Sequence, residues 1–428
     1  MKLLLPRITA FRVLEDIINK KNTFERAFSA NLVDYDLESR DRAFCYRLVS
    51  TTLRRLGQID DLISFALERP LGKRGIGAQN ILRLGICQLF FMDVKDYAAV
   101  NTSVDLAQNL KLGHYKKLIN AVLRRLIKEG FRVIKKQDAE KLNTPSWLWK
   151  IWESYYGLKA CYDIARFHQN SPPLDITVKR NPKLWAERLS GTHFFGNTVR
   201  LNQSQPVESL PGYADGEWWV QDLAASIPAK LFGDIENLSI VDLCAAPGGK
   251  TAQLISMGAK VVAVDKSVRR VEILAQNMKR LNYDPDIVVE NACDWQPTYL
   301  FDGVLLDAPC SATGTLRRNP DINHIKTVED MDVAIRLQKL LLRSAQNLVK
   351  RGGVIVFSTC SLLPQEGVGL IDSVLAEDKT LSRAPIFAEE LGLMPDLVTE
   401  AGDLRTLPVH YSNLGGMDGF YATRLIRK

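Results

Sequence analysis

The sequence predicts a multidomain protein: an all-α N-terminal domain, a small α/β subdomain and a C-terminal Rossmann-like α/β domain. Three observations carry this. At 428 residues the chain exceeds one ordinary core. Up to about Gly130 its apolar residues recur at helical spacing. From Ser239 onward, apolar runs of strand length alternate with stretches of helix length, the signature of βαβ units and a parallel sheet. Hydrophobic residues at 46% and charged residues at 25% exclude disordered and fibrous classes.

Residues 1–140 form the expected helical domain. Phe44, Leu48, Leu53 and Leu56, then Ile81, Leu84, Ile86, Leu89 and Phe90, mark its apolar faces, and strand signals are nearly absent. The basic pairs Arg54-Arg55, Lys73-Arg74, Lys116-Lys117 and Arg124-Arg125 punctuate it. This stretch holds 25 Lys and Arg against 16 Asp and Glu, or +9, whereas residues 141–428 hold 31 against 33, or −2. A basic module joined to a near-neutral one fits an electrostatic grip on nucleic acid attached to a catalytic unit. The plainer alternative is a solvated basic face. The start, Met1 to Arg7, superficially resembles a signal peptide, but Pro6 and Arg7 break its apolar run. No apolar stretch approaches membrane-spanning length, so no membrane association is expected.

Around Asn143-Thr144-Pro145-Ser146 the helical pattern stops, and Trp147, Trp149 and Trp152 follow. Residues 141–225 are therefore expected as a packed connector and a small α/β subdomain, with Leu174 to Val178 as a strand. Residues 226–428 form the expected last domain. Its strands are 239–244, 260–264, 286–289, 301–306 and 353–359, its helices lie near 250–257, 268–282 and 333–350, and a closing strand follows Gly419.

Seven cysteines, at 45, 87, 161, 244, 293, 310 and 360, cannot all pair and show no Cys-x-x-Cys spacing. A reducing compartment, the cytoplasm, is expected, and no metal. Two cysteines stand out. Cys310 follows the apolar run Gly303 to Leu306, and Cys360 follows Val354 to Phe357. Ligands of open parallel sheets bind outside the carboxyl ends of the strands, so two thiols delivered there, one near Asp307, point to thiolate attack on an electrophilic carbon. The bland alternative makes both small buried hydrophobes.

Cys244-Ala245-Ala246-Pro247-Gly248-Gly249-Lys250 links a strand to a helix start. Small residues there let a ligand approach the backbone, and the helix N-terminus offers free N–H groups. The loop is neither the dinucleotide fingerprint nor a P-loop. Asp265 closes the second strand, where an acidic side chain accepts from ribose hydroxyls. Together they describe a nucleoside pocket without a pyrophosphate cradle, which suits S-adenosylmethionine. A structural turn beside a solvated aspartate is the alternative.

With these residues in view, the chain resembles the NOL1/NOP2/Sun family of RNA cytosine-5 methyltransferases over most of its length. The matching segments are Cys244 to Thr251, Asp307 to Gly314, Ser358 to Ser361, Val220 to Ser226 and Gly416 to Phe420. The extension Thr315 to Ile322 and the helical domain, which looks NusB-like, resemble the bacterial branch that acts on small-subunit ribosomal RNA. The resemblance implies Cys360 as nucleophile and Cys310 as the group that assists product release, with S-adenosylmethionine as methyl donor and S-adenosylhomocysteine as product. Asp307 would hydrogen-bond the base near N3 and N4 and would also border the cofactor, and Lys250 would give electrostatic support. Asp294 is the choice for the acidic residue facing adenine, with Asn291 or Cys293 aligning there if the loop shifts. Arg317 and Arg318 are expected at RNA phosphates, a surface pair being the alternative. The partner implied is small-subunit rRNA, bound by a monomer at an unpaired or splayed base. Where the family commonly shows Pro-Glu-Glu-Asn, this chain has Pro364-Gln365-Glu366-Gly367, which puts any role of that asparagine in doubt. Methylation of DNA by the Pro-Cys cysteine is a competing reading, disfavoured by Thr359-Cys360. An RNA-binding assembly factor with a relic sheet is another, disfavoured by the intact loop and thiols. The histidines at 114, 168, 193, 324 and 410 form no spaced cluster.

Overall fold

The structure, a computed structural model, describes residues 4–33, 37–202, 206–392 and 394–428; Met1, Lys2 and Leu3 of the apolar start lie outside them. In chain order the helices α1 (Leu5–Ile18), α2 (Phe24–Leu32), α3 (Ser39–Arg54), α4 (Leu56–Ala66), α5 (Ile76–Phe91), α6 (Asp96–Asn109), α7 (Lys116–Ile134), α8 (Ala139–Leu142) and α9 (Ser146–His168) come first. Then follow β1 (Leu174–Val178), α10 (Pro182–Arg188), β2 (Gly191–Phe195), β3 (Thr198–Leu201), β4 (Trp218–Val220) and α11 (Leu223–Lys230). The remainder is β5 (Ser239–Leu243), α12 (Gly249–Ser256), β6 (Lys260–Val264), α13 (Val268–Arg280), β7 (Asp286–Val288), β8 (Phe301–Asp307), α14 (Ile322–Ile325), α15 (Val328–Leu348), β9 (Val349–Thr359), α16 (Val368–Glu377), β10 (Leu381–Arg383), α17 (Ala388–Leu391), β11 (Leu404–Thr406) and β12 (Phe420–Arg427). Among the described residues, no helix is long and apolar enough to cross a membrane.

Two compact units result: residues 1–170 with 316–326, and residues 171–315 with 327–428. The first is the expected helical domain extended by α9. Pro6 sits in the first turn of α1, where its missing N–H costs nothing, and Leu14, Ile17, Leu48, Ile59, Leu62, Ile81, Leu123 and Leu126 are fully buried in its core. The tryptophan-rich stretch, expected as a packed connector, is a helix. Trp149 and Trp152 are buried, and Gly157 breaks α9 with φ +80°, a conformation that favours glycine. Residues 141–170 therefore belong with the helical unit.

Residues 316–326 also pack in this unit. Asp321 accepts from the Phe24 N–H at 2.9 Å, His324 Nε2 donates to the Leu53 carbonyl at 2.8 Å, and Asn323 donates to the Asn143 carbonyl at 3.2 Å. Burial pushes the His324 ring down to about 4, so it stays neutral.

The second unit holds two sheets. The smaller, in the order β2-β3-β1-β4, is antiparallel. Its buried Asp175 takes Arg200 Nε and Nη2, each at 2.7 Å, and also the Leu223 N–H at 3.2 Å, which fixes the start of α11. The larger sheet runs β10-β12-β9-β8-β5-β6-β7, with β11 paired to β12. Strands β7, β6, β5, β8 and β9 are parallel, and β12 runs antiparallel against β9. The strand order reverses between β5 and β8, so their carboxyl ends form the crevice where such sheets bind ligands.

Candidate active site

Strands β8 and β9 pair in parallel with Asp307 opposite Ser358. The loops after them lie against each other: Gly314 N–H donates to the Cys360 carbonyl at 2.9 Å, and Gly419 N–H to the Gly314 carbonyl at 2.8 Å. A Cβ on Gly314 would stand 1.8 Å from the Gly419 carbonyl oxygen, so only glycine lets these backbones meet. The result brings the Cys310 and Cys360 sulfurs to 3.5 Å. Both thiols are half-buried, whereas Cys45, Cys87 and Cys161 are buried, which separates the pair from cysteines that serve as small hydrophobes.

Beside the pair, Lys250 Nζ donates to Asp307 Oδ2 at 2.7 Å, and the Ser358 hydroxyl donates to Asp307 Oδ1 at 2.9 Å. Burial works against the Lys250 charge, but Asp307, through its charge and hydrogen bond, with smaller contributions from Cys360 and Asp242, outweighs it and raises the ammonium above the ordinary lysine value. Cys310 is held well above the ordinary thiol value, first by its hydrogen bond to Cys360, then by burial, then by the charges of Cys360 and Glu366. Cys360 thus contributes to the field at Lys250, and Glu366 to the field at Cys310.

The loop Cys244 to Lys250 leaves β5 with Cys244 at φ +62° and Gly248 at φ +102°. Asp265, at the end of β6 and 4% exposed, accepts from the Ala246 N–H at 3.2 Å and the Ser267 N–H at 3.0 Å. Asn277 donates to the Pro247 carbonyl at 3.0 Å, and Arg270 to the Ala246 carbonyl. A cavity opens here, walled by Cys244, Val264, Asp265, Asn291, Pro309 and Leu337 among others. Apolar walls for a purine and a carboxylate with lone pairs left for ribose hydroxyls fit an adenosine group. Asp222 caps α11 by accepting from the Ala224 N–H at 2.8 Å, and the same oxygen takes the Asp418 N–H at 3.0 Å. This joins the segments that open and close the predicted domain.

Two expected residues lie elsewhere than foreseen. Asp294 is exposed and accepts from Asn291 Nδ2 without walling the cavity, whereas Asn291, the stated alternative, is on its wall. Arg317 is 1% exposed, since residues 316–326 pack into the helical unit. It is not open to a phosphate, and Arg318 alone is half-exposed. Ser358, whose hydroxyl holds Asp307, is not marked by its sequence context; the β8–β9 register places it opposite the carboxylate.

Comparison with known proteins follows the same lines. The family described as 16S rRNA methyltransferase RsmB/F matches residues 231–426, and the NusB family matches residues 5–128. The chain is 32% identical to a probable ribosomal RNA small subunit methyltransferase B of Synechocystis, over 98% of each chain. It is also 32% identical to ribosomal RNA small subunit methyltransferase B of Pseudomonas putida, over 99% of this chain and 98% of the relative. In fold, the crystal structure of PH0851 superposes with a TM-score of 0.77 at 20% identity, covering 98% of this chain and 99% of that one. NSun6 from Pyrococcus horikoshii with SFG gives 0.55 at 19% identity, over 66% of this chain and 98% of that one.

Proposed function

This chain belongs to the RsmB/F family of 16S rRNA methyltransferases, and from that premise we propose that it methylates C5 of a cytosine in small-subunit ribosomal RNA through a covalent adduct between Cys360 and C6 of the base. The observation that carries the reading is the thiol pair at 3.5 Å with Lys250 and Asp307 beside it, at the carboxyl ends of β8 and β9. S-adenosylmethionine, when bound, supplies an electrophilic methyl group. Asp265 and the Cys244 to Lys250 loop would hold its adenosine end, with Asn291 on the cavity wall.

C5 of cytosine is a weak nucleophile until a thiolate adds at C6. In this reading Cys360 adds there, and the ring electrons move to C5, which takes the methyl group. Lys250 stabilises the attacking anion, and Asp307 hydrogen-bonds the N3 and N4 edge as the ring accepts charge. Cys310 then acts. Its proton is held first by the hydrogen bond to Cys360, then by burial and by the charges of Cys360 and Glu366. Once the Cys360 sulfur is bonded to C6, the part due to Cys360 is removed. Cys310 can then release its proton to solvent, collect the C5 proton, and let the C6–S bond break with return of the electron pair to Cys360.

The helical unit presents Lys117, Arg124, Arg125, Lys128 and Arg132 at exposed positions of α7, a surface suited to RNA phosphates and salt-sensitive affinity. Arg318 remains a candidate phosphate contact. The test is transfer of labelled methyl from S-adenosylmethionine to unmodified small-subunit rRNA. Formation of 5-methylcytosine by wild type, lost in Cys360→Ala, is expected; absence of any RNA methylation by wild type would overturn the reading.

A further inference from the structure

One carboxylate touches both cysteine loops. Glu366 lies in the turn six residues beyond Cys360 and has no solvent exposure. Its Oε1 accepts from the Ser311 backbone N–H at 2.8 Å and from Gln338 Nε2 at 3.2 Å. Its Oε2 accepts from the Ser311 hydroxyl at 2.5 Å and the Ser361 hydroxyl at 2.6 Å. Ser311 follows Cys310 and Ser361 follows Cys360. The two hydroxyls are themselves 3.1 Å apart, and Ser361 Oγ also accepts from the Leu363 N–H at 3.0 Å. Both carboxylate oxygens accept from neutral donors, and no lysine or arginine forms an ion pair with Glu366 among the described residues.

A buried carboxylate without a cation is costly unless hydrogen bonds hold it. Here the holding groups come from the residue after each thiol and from α15. We infer that Glu366 is the positioning residue of the thiol pair: by gripping Ser311 and Ser361 at once it sets the distance between the Cys310 and Cys360 sulfurs and places a negative charge on the Cys310 side. The inference rests on the reading of the pair as the reacting groups.

Its neighbour supports the assignment. Gly367 leaves room that a Cβ would lose, 2.7 Å from Arg405 Nη2 and 2.9 Å from the Tyr421 ring. Arg405 is 8% exposed and its Nη1 donates to the Ser361 carbonyl at 2.5 Å. The arginine thus holds the backbone of the same serine whose hydroxyl Glu366 holds. The titratable groups facing Cys310 are Cys360 and Glu366, while Asp307, three residues earlier, is engaged by Lys250 and Ser358.

The test uses the full chain and two substitutions. Glu366→Ala removes the grip, and an error of about 1 Å at the reacting atoms lowers kcat by roughly 10²-fold while S-adenosylmethionine affinity is unchanged. Glu366→Gln keeps an acceptor for Oε1's two donors, turns an NH₂ toward hydroxyls that can accept, and removes the charge. It restores most of kcat relative to Glu366→Ala. In a Cys360→Ser background, alkylation of Cys310 by iodoacetamide then shifts to lower pH with Glu366→Gln than with Glu366. Wild-type turnover in Glu366→Ala, or an unshifted alkylation profile in Glu366→Gln, overturns the inference. Should Glu366→Ala not fold, the alkylation profile alone decides. Alkylation needs no RNA, so a failure of the proposed methyl transfer is read separately.

Discussion

The loops after β8 and β9 differ in what surrounds nearly the same chemistry. Each ends a parallel strand with a half-buried cysteine followed by a serine, and the two sulfurs touch. Yet Cys360 lies within the field of the Lys250 ammonium, while Cys310 lies within that of Glu366 and of Cys360 itself. In the proposed reaction, the assignment of attack to one thiol and product release to the other rests on these neighbours, drawn from α12 and from the turn after β9.

The most direct way to break this asymmetry is to delete each thiol. Cys360→Ala is expected to cost about 10⁶-fold in turnover, the scale for loss of a covalent nucleophile, and to form no protein–RNA adduct. Cys310→Ala is expected to form the adduct and hold it, visible as a slowly migrating band on a denaturing gel. Equal losses without adduct in both would mean that the two loops do the same job.

Removing the cation should have the next largest effect. Lys250→Met, of similar length but neutral, is expected to lower the rate of adduct formation by roughly 10²–10³-fold, the range for loss of one preorganised charge donor. Single-turnover kinetics check this. The same variant should slow iodoacetamide labelling of Cys360 and leave Cys310 labelling little changed.

Much of the arrangement was legible in the sequence, for reasons that also mark where it stopped being so. Strand-length apolar runs ending in Asp265, Asp307 and Cys360 fix which residues reach the carboxyl edge, because side-chain period and strand length are local properties. Gly314 and Gly419 belong to motifs whose glycines are required by one backbone contact. Register is not local, so the pairing of Asp307 with Ser358 could not be read. Nothing in the sequence around Glu366 marks it as buried; the turn over residues 364–366 buries it. Arg317 beside Arg318 was expected at RNA phosphates, yet Arg317 is buried. The apolar residues of the same segment, Leu316, Ile322 and Ile325, were the signal that it packs inward.

A change at the cofactor end sharpens the comparison by sparing both thiols. Asp265→Ala should weaken S-adenosylmethionine binding by roughly 10-fold or more, on the scale of about 1.5–3 kcal/mol for a hydrogen bond to a charged group. Calorimetric titration measures this, and the alkylation rates of Cys310 and Cys360 should be unaltered.

The smallest effect concerns Asp242 on β5, a buried carboxylate unlike Glu366. Among the described residues it has one donor, Thr251 at 2.6 Å, and its Oδ1 has none. Burial raises its carboxyl to about 7 from an ordinary 3.8. A folded-state value above the unfolded one means that folding takes up a proton between these pH values. Its contribution to stability is then fully present below about pH 4 and lost as pH rises through about 7. Asp242→Asn should flatten this part of the pH dependence of the melting temperature, and an unchanged slope would show that Asp242 ionises normally.

Whether the two thiols hold different offices is decided by mass-spectrometric mapping of the cysteine that bonds to small-subunit rRNA containing 5-fluorocytidine, with S-adenosylmethionine present. A trapped adduct on the peptide carrying Cys360 is expected. An adduct on Cys310 would contradict that expectation.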